Sequence, residues 1–294
     1  MGGRSKPIVG LDIGTHSIKG IVLEQAKSGL ILKTLGMVHL PPEAIVEGVV
    51  QEKEVVTNAI KSLLKTFKIN IKNVCTSISG YSVIIKKITL PNATREELAE
   101  NIEVEAEQFI PFDISEVNVD FQILGQTERD ESQMEVILVA AKKEVINAYM
   151  ELLVESNLKP TIIDVDVFAL ENVFTHNNPD VGGTVALIDI GANKFNMNII
   201  KSGISLLTKD AAMGGALVTG EIQDRFDVDF ETAEAIKIGG KEAPDPVVLE
   251  EIITRAAENW VAEARRTIDY LEACYPGEHL DAVYLSGGSC RVVD

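Results

Sequence analysis

The sequence predicts an α/β fold of two lobes, with a small α+β subdomain inserted into the first. Three observations predict it. An apolar strand, an Asp-x-Gly turn and two more strands occur near the N-terminus and again after residue 183. Between the two copies lies a stretch with helices and strands of its own. After the second copy come three helical stretches and a short strand that runs into Ser286-Gly287-Gly288-Ser289.

In chain order, Ile8 to Ile13 is β-branched and apolar, Ile18 to Glu24 alternates loosely, and Leu30 to His39 follows a Ser28-Gly29 turn. Glu52 to Phe67 is a helix, because Val55, Val56, Ile60, Leu63 and Leu64 fall on one face. Strands at Val74–Ile78 and Val83–Ile88 flank Gly80. Thr94-Arg95-Glu96-Glu97 forms a capping box and opens a helix that runs to about Phe109, before Pro111. Strands near Val117–Leu124 and Met134–Ala140 follow, then a helix over Lys143–Ser156. Thr161–Val165 is a strand and Asp166–Phe174 a helix, and 175–183 is a polar linker. The second copy is Val185–Ile190, Phe195–Ile200 and Ser205–Lys209. Helices at Gly215–Phe226, Phe230–Ile238 and Pro246–Cys274 precede the strand Ala282–Leu285. Residues 1–89 and 160–182 are assigned to the first lobe and 90–159 to the insert. Residues 183–213 with 280–294 make the second lobe, and 214–279 a helical subdomain.

Composition narrows the function classes. The 294 residues are 46% apolar and 24% charged, the balance of a folded globular chain. A net charge of −18 repels phosphate backbones and anionic lipid, which argues against broad nucleic-acid or membrane-surface binding but leaves room for a local anion-binding pocket. Cys75, Cys274 and Cys290 are odd in number and form no CxxC, which suits a reducing compartment. The four histidines show no metal-ligand spacing. No apolar run is long enough to cross a bilayer, and Asp12 interrupts what would be a signal h-region, so a cytoplasmic location is expected. Lys6 rules out a myristoylation signal at Gly2.

Five segments carry chemistry. In the first copy an apolar strand delivers Asp12 to a turn where Gly14 permits close backbone approach. Thr15, His16 and Lys19 can then face a phosphate, and Asp12 suits Mg²⁺ held through water. The second copy repeats this with Asp189, Gly191 and Asn193. One such turn is also a plain hairpin; two of them can clamp a polyphosphate and its metal from both sides. Gly214-Gly215 opens a helix and would offer its amides to an anion, unless it is only a glycine-rich helix entry. Gly287, Gly288 and Ser289 follow a strand and leave room for a flat base or ribose, unless they only turn the chain. Glu234 and Lys237 share a helix face, a spacing common to solvated surface pairs. There is no Walker A loop and no GxGxxG.

These turns, in this order, resemble the nucleotide-binding motifs of the superfamily of actin, the heat-shock chaperone ATPases and the sugar kinases. The resemblance implies an actin-like (ribonuclease H-like) fold that binds ATP and Mg²⁺. Asp12 to Lys19 would form the first phosphate loop and Asp189 to Asn193 the second, with Asp12 and Asp189 orienting the metal through water. Gly287 and Gly288 would form the adenosine motif, Glu234 and Lys237 the adenine side, and Asp166, or Asp164, would position water. The insert, with Glu103-x-Glu105-Ala106-Glu107-Gln108-Phe109-Ile110-Pro111-Phe112 and then Glu116-Val117-x-Val119-Asp120-Phe121, is similar to that of the PilM family of type IV pilus proteins. The cell-division protein FtsA is a relative. That likeness implies a scaffold of the inner-membrane pilus assembly complex, peripheral to the membrane, docking the N-terminal cytoplasmic tail of PilN. Phe109, Ile110 and Phe112 lie near the expected groove unless they fill the insert's own core. Asn193 and Lys194 stand where strong ATPases of the superfamily have Gly and Thr, which implies slow hydrolysis or none. Superfamily members also continue past the point matching Asp294 with a helix and another strand or two. An FtsA-type filament and a sugar kinase share the fold. The first should carry a C-terminal amphipathic helix, and no sugar motif is present for the second.

Overall fold

Val9, Leu11 and Ile13 alternate with Gly10 and Asp12 along β1 (Ile8–Ile13), so one face of the strand is buried and the other carries the turn's carboxylate. The computed structural model describes residues 7–27, 29–46, 48–127 and 130–292, so Ser28 of the expected turn and residues 1–6 lie outside them. The chain divides into two compact units, Met1–Asp166 and Val167–Asp294.

In the first unit β1 is followed by β2 (Ser17–Ala26), β3 (Gly29–His39), the two-residue strands β4 (Ile45–Val46) and β5 (Val49–Val50), α1 (Lys53–Thr66) and β6 (Asn73–Ile78). Then come β7 (Val83–Pro91), α2 (Arg95–Ala106), β8 (Val117–Gln126), β9 (Gln133–Lys142), α3 (Lys143–Glu155) and β10 (Lys159–Val165). A five-stranded sheet has the order β10-β6-β1-β2-β3. β1 to β3 form an antiparallel meander, while β6 and β10 are parallel to the strands beside them. β3 is an edge strand. Leu23, Leu30, Ile31, Leu32 and Leu35 near the tip of the β2–β3 hairpin are exposed. Lys33 is the extra residue of a bulge there, and its Nζ lies 2.7 Å from Glu24 Oε2.

A separate three-stranded sheet, β7-β9-β8, packs Ile88, Leu90, Val136 and Leu138 against Leu98, Ile102 and Ala106 of α2. The capping box is present: the Thr94 hydroxyl accepts from Glu97 N–H and the Glu97 carboxylate accepts from Thr94 N–H. α2 ends at Ala106 rather than near Phe109, because the chain folds back to bury Ile110 in this core, its N–H on Ala106 O. The sheet starts at Val83, ahead of the expected insert boundary at residue 90, and α3 packs on α1 and β10. β4 and β5 were not expected.

The second unit holds α4 (Asp166–Asn177, from Val167 on), β11 (Thr184–Ile190), β12 (Phe195–Lys201), β13 (Ile204–Ala211), α5 (Gly215–Phe226), α6 (Phe230–Lys237), α7 (Pro246–Cys274) and β14 (Ala282–Ser286). Its sheet, β13-β12-β11-β14, repeats the first plan of an antiparallel meander with a parallel strand beside its first member. Segment 160–182 is shared between the units: β10 joins the first sheet, whereas Leu170 and Phe174 of α4 pack on Val185, Leu187 and Ile200. Glu171 of α4 accepts from Asn198 Nδ2 at 2.8 Å and Ser205 Oγ at 2.6 Å, a buried polar tie between helix and sheet. Asp245 caps α7 with Pro246 at the first helical position, where a missing N–H costs nothing. Trp260 on α7 touches both the sheet core and the α5–α6 core.

Replacing Thr94 with Ala removes one half of the capping box. We expect a loss of about 1 kcal/mol in urea unfolding, with the far-ultraviolet circular dichroism unchanged.

Candidate functional site

The two Asp-x-Gly turns are built alike. In the first unit Gly14 N–H donates to Ser17 O at 3.1 Å, and in the second Gly191 N–H donates to Lys194 O at 2.8 Å. Each bond closes a tight turn on the end of a strand, with the aspartate two residues before the glycine. The aspartates face different partners across the ladder: Asp12 pairs with Lys19, and Asp189 with Asn196.

In the first unit Lys19 Nζ lies 2.6 Å from Asp12 Oδ2, with both side chains about half exposed at 49% and 56%. Such a pair is worth little and can be displaced. Thr15 and His16 form the turn, and His16 Nε2 lies 3.1 Å from His39 Nδ1. Asp166 opens α4 and accepts from Ser79 Oγ. Burial raises the Tyr149 phenol well above its ordinary range, and the carboxylates of Asp166 and then Asp12 raise it further. Tyr149 therefore stays a hydrogen-bond donor within electrostatic reach of both carboxylates. Asp164 is spent on its own neighbour, accepting from Val165 N–H, and adds to the burial that raises the Cys75 thiol.

In the second unit Asp189 accepts from Ser286 Oγ at 3.0 Å, which ties β11 to β14 just before Gly287. Gly287 has φ +97, and a Cβ there would stand 2.3 Å from Ile190 O, so only glycine fits. A Cβ on Gly288 would meet nothing, which leaves open space beside the backbone. Gly214 approaches the second turn so closely that a Cβ would lie 2.3 Å from Ala192 O and 2.6 Å from Gly191 O. The expectation of an open amide is corrected here for Gly215. Gly215 N–H donates to Gly191 O at 3.0 Å and Ala216 N–H to Ala192 O at 2.8 Å, so the turn's carbonyls satisfy the helix start. Ser289 Oγ donates to the same Gly191 O at 2.8 Å. The Asp189–Lys194 turn, the α5 start and the Gly287–Ser289 segment are thus one hydrogen-bonded cluster. Asn193 sits exposed at the tip of the turn.

Glu234 and Lys237 are not a solvated pair. Lys237 is only 7% exposed and donates to Glu234, to Thr219 Oγ1 at 2.8 Å and to Gly215 O at 3.3 Å. Thr219 Oγ1 also bonds Glu234. Sequence reasoning missed four residues: Thr219, Ser79, Tyr149 and Asn196. The signal for Thr219 was its place four residues after Gly215, one helical turn on. Asn196 Oδ1 is buried and has no hydrogen-bond partner among the described residues. Among the described residues no group of three or more His, Cys, Asp or Glu could hold a metal by itself, and no helix is long and apolar enough to cross a membrane.

The residues from 10 to 294 match the family described as type IV pilus assembly protein PilM. The chain belongs to that family. Among solved structures it is similar to a chain of the PilM–PilN type IV pilus biogenesis complex, at 26% identity and a TM-score of 0.83, over 97% of this chain and 82% of that one. MreB5 of Spiroplasma citri bound to AMPPNP aligns at 11% identity and TM-score 0.56, over 99% and 87%. The ethanolamine utilization protein EutJ of Carboxydothermus hydrogenoformans aligns at 16% and 0.54, over 98% and 78%. The fold is actin-like, and this PilM-family member is an actin-like protein of type IV pilus assembly.

Two substitutions check the geometry. Asn196→Leu removes an unsatisfied buried oxygen and should raise the unfolding midpoint, by about 1 kcal/mol of stability. Gly214→Ala forces the 191–192 turn away from α5 and should lower it, both read by thermal unfolding.

Proposed function

We propose that this chain is a cytoplasmic ATP-binding scaffold that docks the N-terminal tail of PilN, an inner-membrane pilus protein, with slow ATP hydrolysis or none. The observation that carries this reading is the likeness to a PilM–PilN complex chain over nearly the whole length, at a TM-score of 0.83. The nucleotide part rests on the residues of each unit. Asp12 and Asp189 are carboxylates at turn bases, the hard oxygen donors that Mg²⁺ takes, through its waters. Gly14, Thr15, His16 and Lys19 in one unit and Gly191 and Asn193 in the other would hold phosphate oxygens. Gly214 and Gly215 would do so through the placement of the second turn. The open backbone at Gly288, with Gly287 and Ser289, leaves room for the nucleoside, and half-buried Glu234 with buried Lys237 would fix its base. Asp166, already bonded to Ser79, would position water for whatever hydrolysis occurs.

Within the first unit, Ile110 fills the core of the insert and Phe112 packs partly against that core under Lys142. Phe109 is the member of the trio left exposed, at 36%, and is our candidate contact for the tail. An extended peptide would take main-chain bonds from a sheet edge and side-chain pockets beside it.

The test is a fluorescence-anisotropy titration of a labelled PilN N-terminal peptide against the chain, with and without ATP·Mg²⁺. Saturable binding supports the scaffold, and any nucleotide dependence gives the coupling free energy. No binding by folded, ATP-competent protein would move the function toward an FtsA-type filament or a kinase. Asp12→Ala should weaken ATP·Mg²⁺ by roughly tenfold, about 1.4 kcal/mol, while leaving the thermal midpoint of the free protein nearly unchanged. Equal affinity in the variant would overturn the metal assignment.

A further inference from the structure

The C-terminal half of α1 and the loop after it gather four lysines in a chain of net charge −18. Lys61, Lys65, Lys68 and Lys72 are exposed around a concavity of about 460 Å³, and the half-buried Leu64 and Ile71 lie between them. Among the described residues none of the four lysines makes an ion pair. The end of α3 reaches the same rim, but its carboxylates, Glu151 and Glu155, hold Lys53 at 3.0 and 2.6 Å. The helix dipole favours a cation in the last turn, which accounts for Lys65 but not for Lys61 or Lys72.

α2 carries the opposite pattern. Glu96, Glu100, Glu103 and Glu107 recur at helical spacing, so they line one face, and all four are exposed. Among the described residues none of them makes an ion pair either. Like charges at this spacing repel. The last turn of α2 holds no basic residue, although its carbonyl end favours one. Val104 lies within the same stripe and is 66% exposed. Four anions around an apolar knob thus answer four cations around an apolar floor. Two copies of the chain repel through their net charge, so the orientation that joins these two surfaces is the one favoured.

We propose that the lysine concavity is a docking surface for a second copy of this chain, which enters it with the acidic face of α2 and seats Val104 on Leu64 and Ile71. Each copy carries both surfaces, so the contact either closes in a dimer or ring or repeats along a row. Solvated ion pairs are individually weak and are screened by salt, so the association is weak and salt-sensitive. The inference goes beyond the nucleotide and PilN readings, because neither surface contains a residue assigned to them.

The experiment is sedimentation velocity over a concentration series, at about 50 mM and about 0.5 M salt. It compares the wild type, Lys61→Glu with Lys65→Glu, Glu100→Lys with Glu103→Lys, and an equimolar mixture of the two variants. We expect the wild type to self-associate at low salt and to dissociate at high salt. Each variant alone should associate at least about tenfold more weakly. The mixture should recover the wild-type association, since the lysines left on one variant meet the carboxylates left on the other. The Glu→Lys variant has less net negative charge, so general repulsion between copies predicts stronger association there, whereas docking predicts weaker. All four positions are exposed, and thermal midpoints near the wild type confirm that each variant is folded. A monomeric wild type at low salt, wild-type association by either variant alone, or a mixture that stays monomeric overturns the proposal.

Discussion

Residue 214 has no room for a side chain, because the carbonyls of Gly191 and Ala192 occupy the space where one would begin. That contact seats α5 on the turn between β11 and β12, and the first helical amides then find their acceptors on the turn itself. Seating α5 sets the direction of Thr219, one turn along. Thr219, with Gly215 O, gives Lys237 enough hydrogen-bond partners to be buried with its charge. A buried ammonium without such partners would cost several kcal/mol, on the order of a whole folding free energy. The polar cluster of the second unit is therefore one mechanical object. A change at position 214 reaches Lys237 without touching it.

The two units solve the same local problem with different electrostatics. Both close an Asp-x-Gly turn with one amide bond of about equal length. In the first, the aspartate is held by a lysine across the ladder and is open to solvent. In the second, it is held by a serine hydroxyl and faces a buried asparagine. The first carboxylate sits in a half-exposed ion pair that costs little to break. The second is held from the neighbouring strand, which couples it to the segment where Gly287 turns the chain.

Much of this was legible in the sequence because it is local. The capping box at Thr94, the start of α5 at Gly215 and the limits of α7 follow from capping chemistry and periodicity within a few residues. The repeated turn was legible because Asp, Gly and the flanking apolar strands recur together. What was not legible depends on partners distant in the chain. β7 belongs to the insert because Val83 pairs with Ala141, and no local pattern reports that register. α4 sides with the second unit because Glu171 meets Asn198 and Ser205. Glu234 and Lys237 have the spacing of a surface pair, and only the packing of α5 against α6 reveals that Lys237 is buried.

The β2–β3 hairpin combines an edge strand, a row of exposed leucines and a lysine placed on a bulge. Edges of this kind invite a foreign strand to extend the sheet, and a charged bulge interrupts the regular row of amides and carbonyls such a strand would need. Lys33 stands where the ladder is interrupted, its ammonium on Glu24. The protein can keep its leucines in water for a partner or for none, because a strand that adds to β3 meets the kink halfway along.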